Sequence, residues 1–264
     1  TGAKLDHNAV IDRKDGVVQM LVSGVGAKMK KNKVTVVKST GVIKGKTEGG
    51  YAIEADGKEY VAPKLIIAAG SEAVVPPIPG VKEGLAAGTV LTNREILSLR
   101  VIPKELVVIG GGVIGLEMAS YFNSAGSKVT VIEMLNKIAG PTDAEISTIL
   151  QKNYEKKGVT FKLGCKVTAV EKGAVKYQTA DGREESVSCD YTLLSIGRRP
   201  SSAGVGLESI GVYTERGAIK TDEIMRTNVP GVYAVGDING VYMLAHAAYR
   251  EAEVAVNHIL GKKD

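Results

Sequence analysis

Three glycines and one acid carry the clearest chemistry in this chain. Gly110, Gly112 and Gly115 stand in Gly110-Gly111-Gly112-Val113-Ile114-Gly115-Leu116-Glu117, a G-x-G-x-x-G spacing. In that pattern the first glycine makes a tight turn, the second lets the backbone approach a pyrophosphate, and the third lets a helix pack closely on a strand. Phosphate oxygens are then met by the unpaired N–H groups of the helix's first turn. Glu133 closes a second apolar run, Lys128-Val129-Thr130-Val131-Ile132. It lies about 20 residues beyond the first glycine, where a carboxylate accepts hydrogen bonds from the adenosine ribose and repels a 2′-phosphate. Met134-Leu135-Asn136 follows with no arginine to hold such a phosphate, so the pattern reads as NAD(H) and not NADP(H). A glycine-rich turn with a chance acid is the plainer alternative, but the full order of strand, turn, helix, strand and acid speaks against it.

Two further strand ends offer polar chemistry. Val229-Pro230-Gly231-Val232-Tyr233-Ala234-Val235 runs into Gly236-Asp237. A carboxylate just past a strand, beside a glycine, suits a hydrogen bond to a sugar or ribityl hydroxyl, and it equally suits a helix start, where Asp is a favoured cap. Residue types alone leave those two readings open. Lys64-Leu65-Ile66-Ile67-Ala68-Ala69-Gly70-Ser71 reads as a buried strand ending on small residues, which let a ligand come close to the backbone. The two cysteines, Cys165 and Cys189, match no metal or redox spacing and read as isolated thiols suited to a reducing compartment. No metal site is expected.

The elements that must position these groups follow from periodicity. Leu106-Val107-Val108-Ile109 reads as a buried parallel strand, and the apolar spacing after it as a helix. Earlier, apolar steps of three and four predict a helix from Asn8 to Lys31, followed by a short strand at Val34-Thr35-Val36-Val37. Gly41-Val42-Ile43, Tyr51 to Ala55 and Lys58 to Val61 read as a β-meander with Asp56-Gly57 as a hairpin turn. Ser71 to Gly80, with Pro76, Pro77 and Pro79, reads as a connection between domains. Capping boxes are expected at Thr92-Asn93-Arg94-Glu95 and at Thr142-Asp143-Ala144-Glu145. The helix after the second stops at Gly158, and strands are expected at 159–163, 167–170, 175–178 and 191–196. A final helix spans about Met243 to Leu260.

Composition narrows the function classes. With 264 residues, 44% hydrophobic and 24% charged, the chain can build a sizeable core and is not of disordered type. The net charge of +5 comes from dispersed lysines with two Phe and no Trp, which is unlike a nucleic-acid surface. No apolar stretch of membrane-spanning length and no signal-peptide pattern occurs in it.

In combination these motifs resemble the two-dinucleotide-domain flavoprotein disulfide reductases, class I of the pyridine nucleotide-disulfide oxidoreductases, and most nearly the dihydrolipoyl dehydrogenase group. The matching stretches are Ala68 to Ser71, Gly110 to Glu117, Ile196-Gly197-Arg198-Arg199-Pro200, Val235-Gly236-Asp237 and Met243-Leu244-Ala245-His246, so the likeness covers essentially the whole chain. The resemblance implies an α/β fold of two Rossmann-like dinucleotide-binding domains, three-layer, with a parallel sheet and β-meander, the first domain incomplete. Residues 1–100 are then the remaining part of the FAD-binding domain, 101–222 the NAD(H)-binding domain and 223–264 the return segment of the FAD-binding domain. Carried over residue by residue, Gly41, Ala69, Gly70 and Ser71 line the adenine side of FAD and Asp237 binds its ribitol. Met243, Leu244, Ala245 and His246 lie near the flavin ring, with His246 facing the flavin and not acting as a base. Gly110, Gly112, Val113, Ile114, Gly115 and Glu133 hold NAD, Val167 and Gly197 flank its adenosine, and Glu117 matches an acid beside the reactive flavin edge.

The family's own FAD pyrophosphate turn, its Cys-x4-Cys pair and the dimerisation domain with a His-Glu pair have no counterpart in these residues. The chain is therefore expected to be the middle of such an enzyme, holding no catalytic residue of the thiol chemistry and by itself binding only NAD(H). For the intact protein the resemblance implies oxidation of dihydrolipoyl groups with electrons passing through FAD to NAD+. It also implies a lipoyl-bearing domain of a 2-oxoacid dehydrogenase complex as partner, a homodimer, a cytoplasmic location, and no nucleic acid or membrane. Another NADH-dependent flavoprotein disulfide reductase, or a non-catalytic NAD-binding or redox-responsive module, are the alternatives.

Overall fold

Residues 4–262 are described by the computed structural model. In chain order the elements are α1 (His7–Lys31), β1 (Val42–Thr47), β2 (Gly50–Ala55), β3 (Lys58–Ala62), β4 (Leu65–Ile67), β5 (Ser71–Ala73), α2 (Val81–Ala87), β6 (Val90–Leu91) and α3 (Asn93–Ile96). Then come β7 (Glu105–Ile109), α4 (Val113–Ala125), β8 (Lys128–Glu133), α5 (Ala144–Lys156), β9 (Thr160–Leu163), β10 (Lys166–Glu171), β11 (Ala174–Gln178), β12 (Glu184–Ser188) and β13 (Tyr191–Leu194). The chain ends with β14 (Arg198–Pro200), β15 (Thr214–Glu215), β16 (Ala218–Ile219), β17 (Val232–Ala234) and α6 (Ala245–Ile259). The described residues form two compact units, 4–25 with 73–197 and 26–72 with 198–262, two of the boundaries falling within α1 and β5. Against expected boundaries at 101 and 223, the chain thus changes unit near 73 and 197, because β6 and β13 complete the same sheet as β7.

In the first unit the sheet order is β6-β13-β7-β8-β9, and every pairing is parallel. The apolar run of β7 is explained by coverage of both faces. Val107 and Ile109 pack into a core with Val167, Val175 and Tyr177 from the antiparallel sheet β10-β11-β12. Leu106 and Val108 pack on the other side with Ala119 and Phe122 of α4. Each fully buried Val, Leu, Ile or Phe side chain among them contributes roughly 1.5–3 kcal/mol. From β7 the chain crosses by α4 to β8 on one side, and it later returns to β13 on the other, so a crevice opens beyond the carboxyl ends of β7 and β13. His7 is buried here as a structural group. Its Nε2 donates to the Leu99 carbonyl at 2.7 Å, which leaves Nδ1 to accept from the Tyr121 hydroxyl at 2.9 Å.

The second unit pairs β4 with β17 in parallel and sets β1 and β2 of the antiparallel meander β1-β2-β3 in the same apolar core, with Ile43, Tyr51, Leu65, Ile67, Val232 and Ala234, while β3 is exposed throughout. Asp56 and Gly57, both at positive φ (53° and 68°), close the β2–β3 hairpin as expected.

Several expectations are corrected. Val34 to Val37 is not a strand; none of the described residues pairs with it as one, and Val34 and Val36 are exposed. The expected strand at 64–71 shortens to β4, in which Leu65 and Ile67 are buried and Ile66 faces out. The capping box at 92–95 forms, whereas α5 is capped one residue later than expected, by Asp143 accepting from the N–H groups of Glu145 and Ile146. The 159–163 strand joins the parallel sheet as β9, and β12 was not foreseen. Helix α2 was not foreseen either, since Gly80 and Gly84 interrupt its sequence pattern.

Candidate functional site

The dinucleotide turn takes the shape its glycines allow. Gly110 has φ +103°, and a Cβ there would stand 2.2 Å from the Ser195 carbonyl oxygen. At Gly115 a Cβ would stand 2.4 Å from the Gly110 oxygen, so only glycine lets α4 lie this close to the end of β7. At Gly112 no atom lies within 4 Å of the Cβ position. That open place sits directly at the start of α4, whose N-terminus has no side-chain cap. The first-turn N–H groups, from Val113 onward, are therefore available to an anion. Val113 is exposed, Ile114 half-buried, and Glu117 exposed one turn further along.

Glu133, half-buried at the end of β8, is held by two peptide groups. Its Oε2 accepts from the Gly111 N–H at 2.6 Å and its Oε1 from the Leu135 N–H at 2.8 Å. Each carboxylate oxygen keeps a further acceptor position, so the group is oriented yet able to take two ligand hydroxyls. Strand register explains the placement: Ile109 stands opposite Ile132, and the Gly110 N–H donates to the Ile132 carbonyl at 2.8 Å. Val167 is buried in β10, and Gly197 is exposed just past β13. The residues present therefore fit a dinucleotide with free ribose hydroxyls.

In the second unit the Gly236-Asp237 motif opens a single 3-10 turn (Gly236–Asn239). Asp237 is half-buried, and its Oδ2 accepts from the Ser71 hydroxyl at 2.5 Å. Arg198 in turn donates from Nε to Ser71 Oγ and from Nη2 to the Ser71 carbonyl, both at 2.7 Å. From α6 the buried Glu251 accepts on Oε2 from the Gly236 N–H at 2.6 Å and from the Asn239 amide at 2.8 Å. Ser71 and Asp237, read from sequence toward opposite parts of a flavin nucleotide, thus share one hydrogen bond. Glu251 had no signal as a site residue, since an acid within a helix looks like solvated charge, and Arg198 stood in the matching stretch Ile196 to Pro200 without a role of its own. Ala69, Leu244, Ala245 and His246 are exposed, and Met243 is half-buried; α6 begins at Ala245 with an uncapped N-terminus. Gly41 is exposed just before β1, and Gly70 has φ +72°.

The two cysteines are free and buried, and burial pushes both thiols above the usual range. Neither is a ready nucleophile at neutral pH. Among the described residues no group of His, Cys, Asp or Glu is placed to hold a metal, and no helix is long and apolar enough to cross a membrane. Besides His7, His258 is also engaged structurally, through Nδ1 with the Tyr233 hydroxyl at 2.9 Å.

Comparison with known proteins places this geometry in a family. The family described as pyridine nucleotide-disulphide oxidoreductase matches residues 2–252. The dihydrolipoyl dehydrogenase of Acholeplasma laidlawii is 45% identical over 255 residues, covering 97% of this chain and 74% of that one. Dihydrolipoyl dehydrogenase 3 of Pseudomonas putida is 40% identical over 96% of this chain, which spans 55% of that relative's length. Among solved structures, the HOCl-induced flavoprotein disulfide reductase RclA from Escherichia coli superposes with a TM-score of 0.88 at 25% identity, over 98% of this chain and 59% of that one. LpdA from Mycobacterium tuberculosis does so with a TM-score of 0.87 at 25% identity, over 99% and 58%. With a match running almost end to end and the glycine turn folded around its acid, the chain belongs to the pyridine nucleotide-disulphide oxidoreductases, among the dihydrolipoyl dehydrogenases.

Proposed function

We propose that this chain is the NAD(H)-binding unit and part of the FAD-binding unit of an enzyme that oxidises dihydrolipoyl groups to lipoyl groups with NAD+ as final acceptor. The observation that carries the nucleotide choice is Glu133. Two backbone N–H groups orient its carboxylate toward the place of the adenosine ribose, where it accepts from free hydroxyls and repels a 2′-phosphate. Gly110, Gly112 and Gly115 shape the turn, and the first-turn N–H groups of Val113 and Ile114 receive the pyrophosphate. Val167 and Gly197 border the adenosine.

On the other unit, Asp237 holds a ribityl hydroxyl and Gly41, Ala69, Gly70 and Ser71 line the rest of the flavin nucleotide, with Met243 to His246 near the ring. FAD, when bound, supplies the two-electron carrier between dithiol and nicotinamide. Glu117 adds negative charge beside that carrier. The partner is the lipoyl-bearing domain of a 2-oxoacid dehydrogenase complex, the intact protein is a homodimer, and its compartment is the reducing cytoplasm.

Calorimetric titration of the chain with NADH and with NADPH, together with its visible spectrum for retained flavin, tests this reading. NADH should bind at least about tenfold more tightly than NADPH, a difference of about 1.4 kcal/mol. A folded sample that binds neither nucleotide, or both equally, overturns the role given to Gly110 to Glu133.

A further inference from the structure

Beyond the glycines and Glu133, the segment that follows β8 is fastened to the dinucleotide turn in a way none of the sequence motifs indicates. Residues 138 and 139 are buried. Ile138 packs with Leu116 of α4, and the Ala139 N–H donates to the Gly111 carbonyl at 2.8 Å. Gly111 is therefore gripped on both sides, its N–H by Glu133 and its carbonyl by Ala139. To make the second bond the chain turns through two successive left-handed residues, Ala139 at φ +61° and Gly140 at φ +55°. Such a backbone is rare for alanine and persists only where surrounding contacts enforce it.

One side-chain contact that enforces it is that of the half-buried Lys137. Its Nζ donates to the carbonyl of Gly140 and, at 2.7 Å, to that of Thr142. An ammonium offers three donors and no acceptor, so it suits a point where several carbonyls converge. The outer side of the segment is pinned by the N–H of Gly164 to the Leu135 carbonyl and of Cys165 to the Glu133 carbonyl, both at 3.0 Å. The strained turn between Lys137 and Thr142 is closed by the Thr142 N–H donating to the Ala139 carbonyl at 3.2 Å, and Lys137 ties its far end.

We infer that Lys137 is a positioning residue for the nucleotide: by closing the 139–142 turn it holds Ala139 against Gly111 and so fixes the backbone that faces the pyrophosphate. The inference rests on the NAD(H) reading above for its functional consequence, but not for its structural part. The ammonium of Lys137, the basic residue that follows β8 in sequence, is committed to carbonyls and not offered to a 2′-phosphate.

The test uses the whole chain with K137M and K137R, following amide hydrogen exchange at Gly111 by NMR and NADH binding by calorimetry. A displacement of the turn should speed Gly111 exchange about tenfold in K137M, as local opening becomes easier. The NADH dissociation constant should rise about tenfold as well, since small misplacements of binding groups carry costs of this order or larger. K137R, which can donate to both carbonyls, should restore both readouts. Unchanged Gly111 exchange in folded K137M overturns the inference; if NADH still weakens, Lys137 contributes only its charge. Should K137M fail to fold, K137Q, which keeps neutral donors, is read by the same criteria. Failure of the unsubstituted chain to bind NADH would count against the nucleotide reading, while the exchange comparison would still decide the structural coupling.

Discussion

The turn after β7 and the turn after β17 share one plan, in which an apolar parallel strand ends at a glycine, an acid faces the strand end, and a helix follows without a side-chain cap. They differ in what holds the acid. Glu133 is gripped by peptide N–H groups, one from the glycine turn itself and one two residues along its own chain. Asp237 is held by the Ser71 hydroxyl, which Arg198 braces, while Glu251 secures the turn from the far side. A site built from backbone donors leaves its mark in glycine spacing, since glycines decide where the backbone can go. A site braced by side chains leaves little mark, because its members are separated by up to 166 positions in the chain.

That contrast can be broken most severely at Gly115. Gly115→Val places side-chain atoms where even a Cβ would lie 2.4 Å from the Gly110 oxygen. The expected cost is about 3 kcal/mol of stability from overpacking, with NADH binding lost, as followed by chemical denaturation and calorimetry. Retained NADH binding would remove the turn from the site. Next in size, Glu251→Ala leaves the Gly236 N–H and the Asn239 amide without their acceptor in a buried place. This should cost about 2 kcal/mol in urea denaturation while leaving NADH affinity unchanged; a loss of NADH binding would mean that the two turns are not separately held.

Glu133→Arg is expected to lower NADH affinity about tenfold, close to 1.4 kcal/mol, and to favour NADPH. An unchanged preference would take Glu133 out of the specificity role. The smallest effect is expected at Ser71→Ala, which removes the donor to Asp237 and one acceptor of Arg198. About 1 kcal/mol of stability should be lost, again without change at the glycine turn. If Ser71→Ala costs nothing, the bracing of Asp237 lies elsewhere.

How far the chain is legible follows from the range of the forces involved. The β7–α4–β8 unit, the capping box at Thr92 and helix α1 were expected from residue spacing, and they form. Each depends on contacts within a few residues or on one glycine's freedom. Val34 to Val37 has strand composition but no neighbour to pair with among the described residues, and a strand needs one. At the start of α5, Thr142 and Asp143 both suit a cap; Asp143 takes the role, while the Thr142 carbonyl is bonded by Lys137. Helix α2 escapes the pattern because its N-cap is Gly80, whose Cβ would collide with the Val170 carbonyl 1.7 Å away, a constraint that comes from another strand.

Glycine spacing, apolar runs and the acid ending β8 were enough to read an α/β chain with a dinucleotide turn, because they act over one strand or one helical turn. The union of Ser71 with Asp237, the buried hold of Glu251, and the structural use of His7 and His258 emerge only once the strands are ordered β6-β13-β7-β8-β9 and β4 lies beside β17. Most of these bonds join side chains to distant partners, and their geometry depends on which strands become neighbours. Residue spacing along the chain carries no record of that.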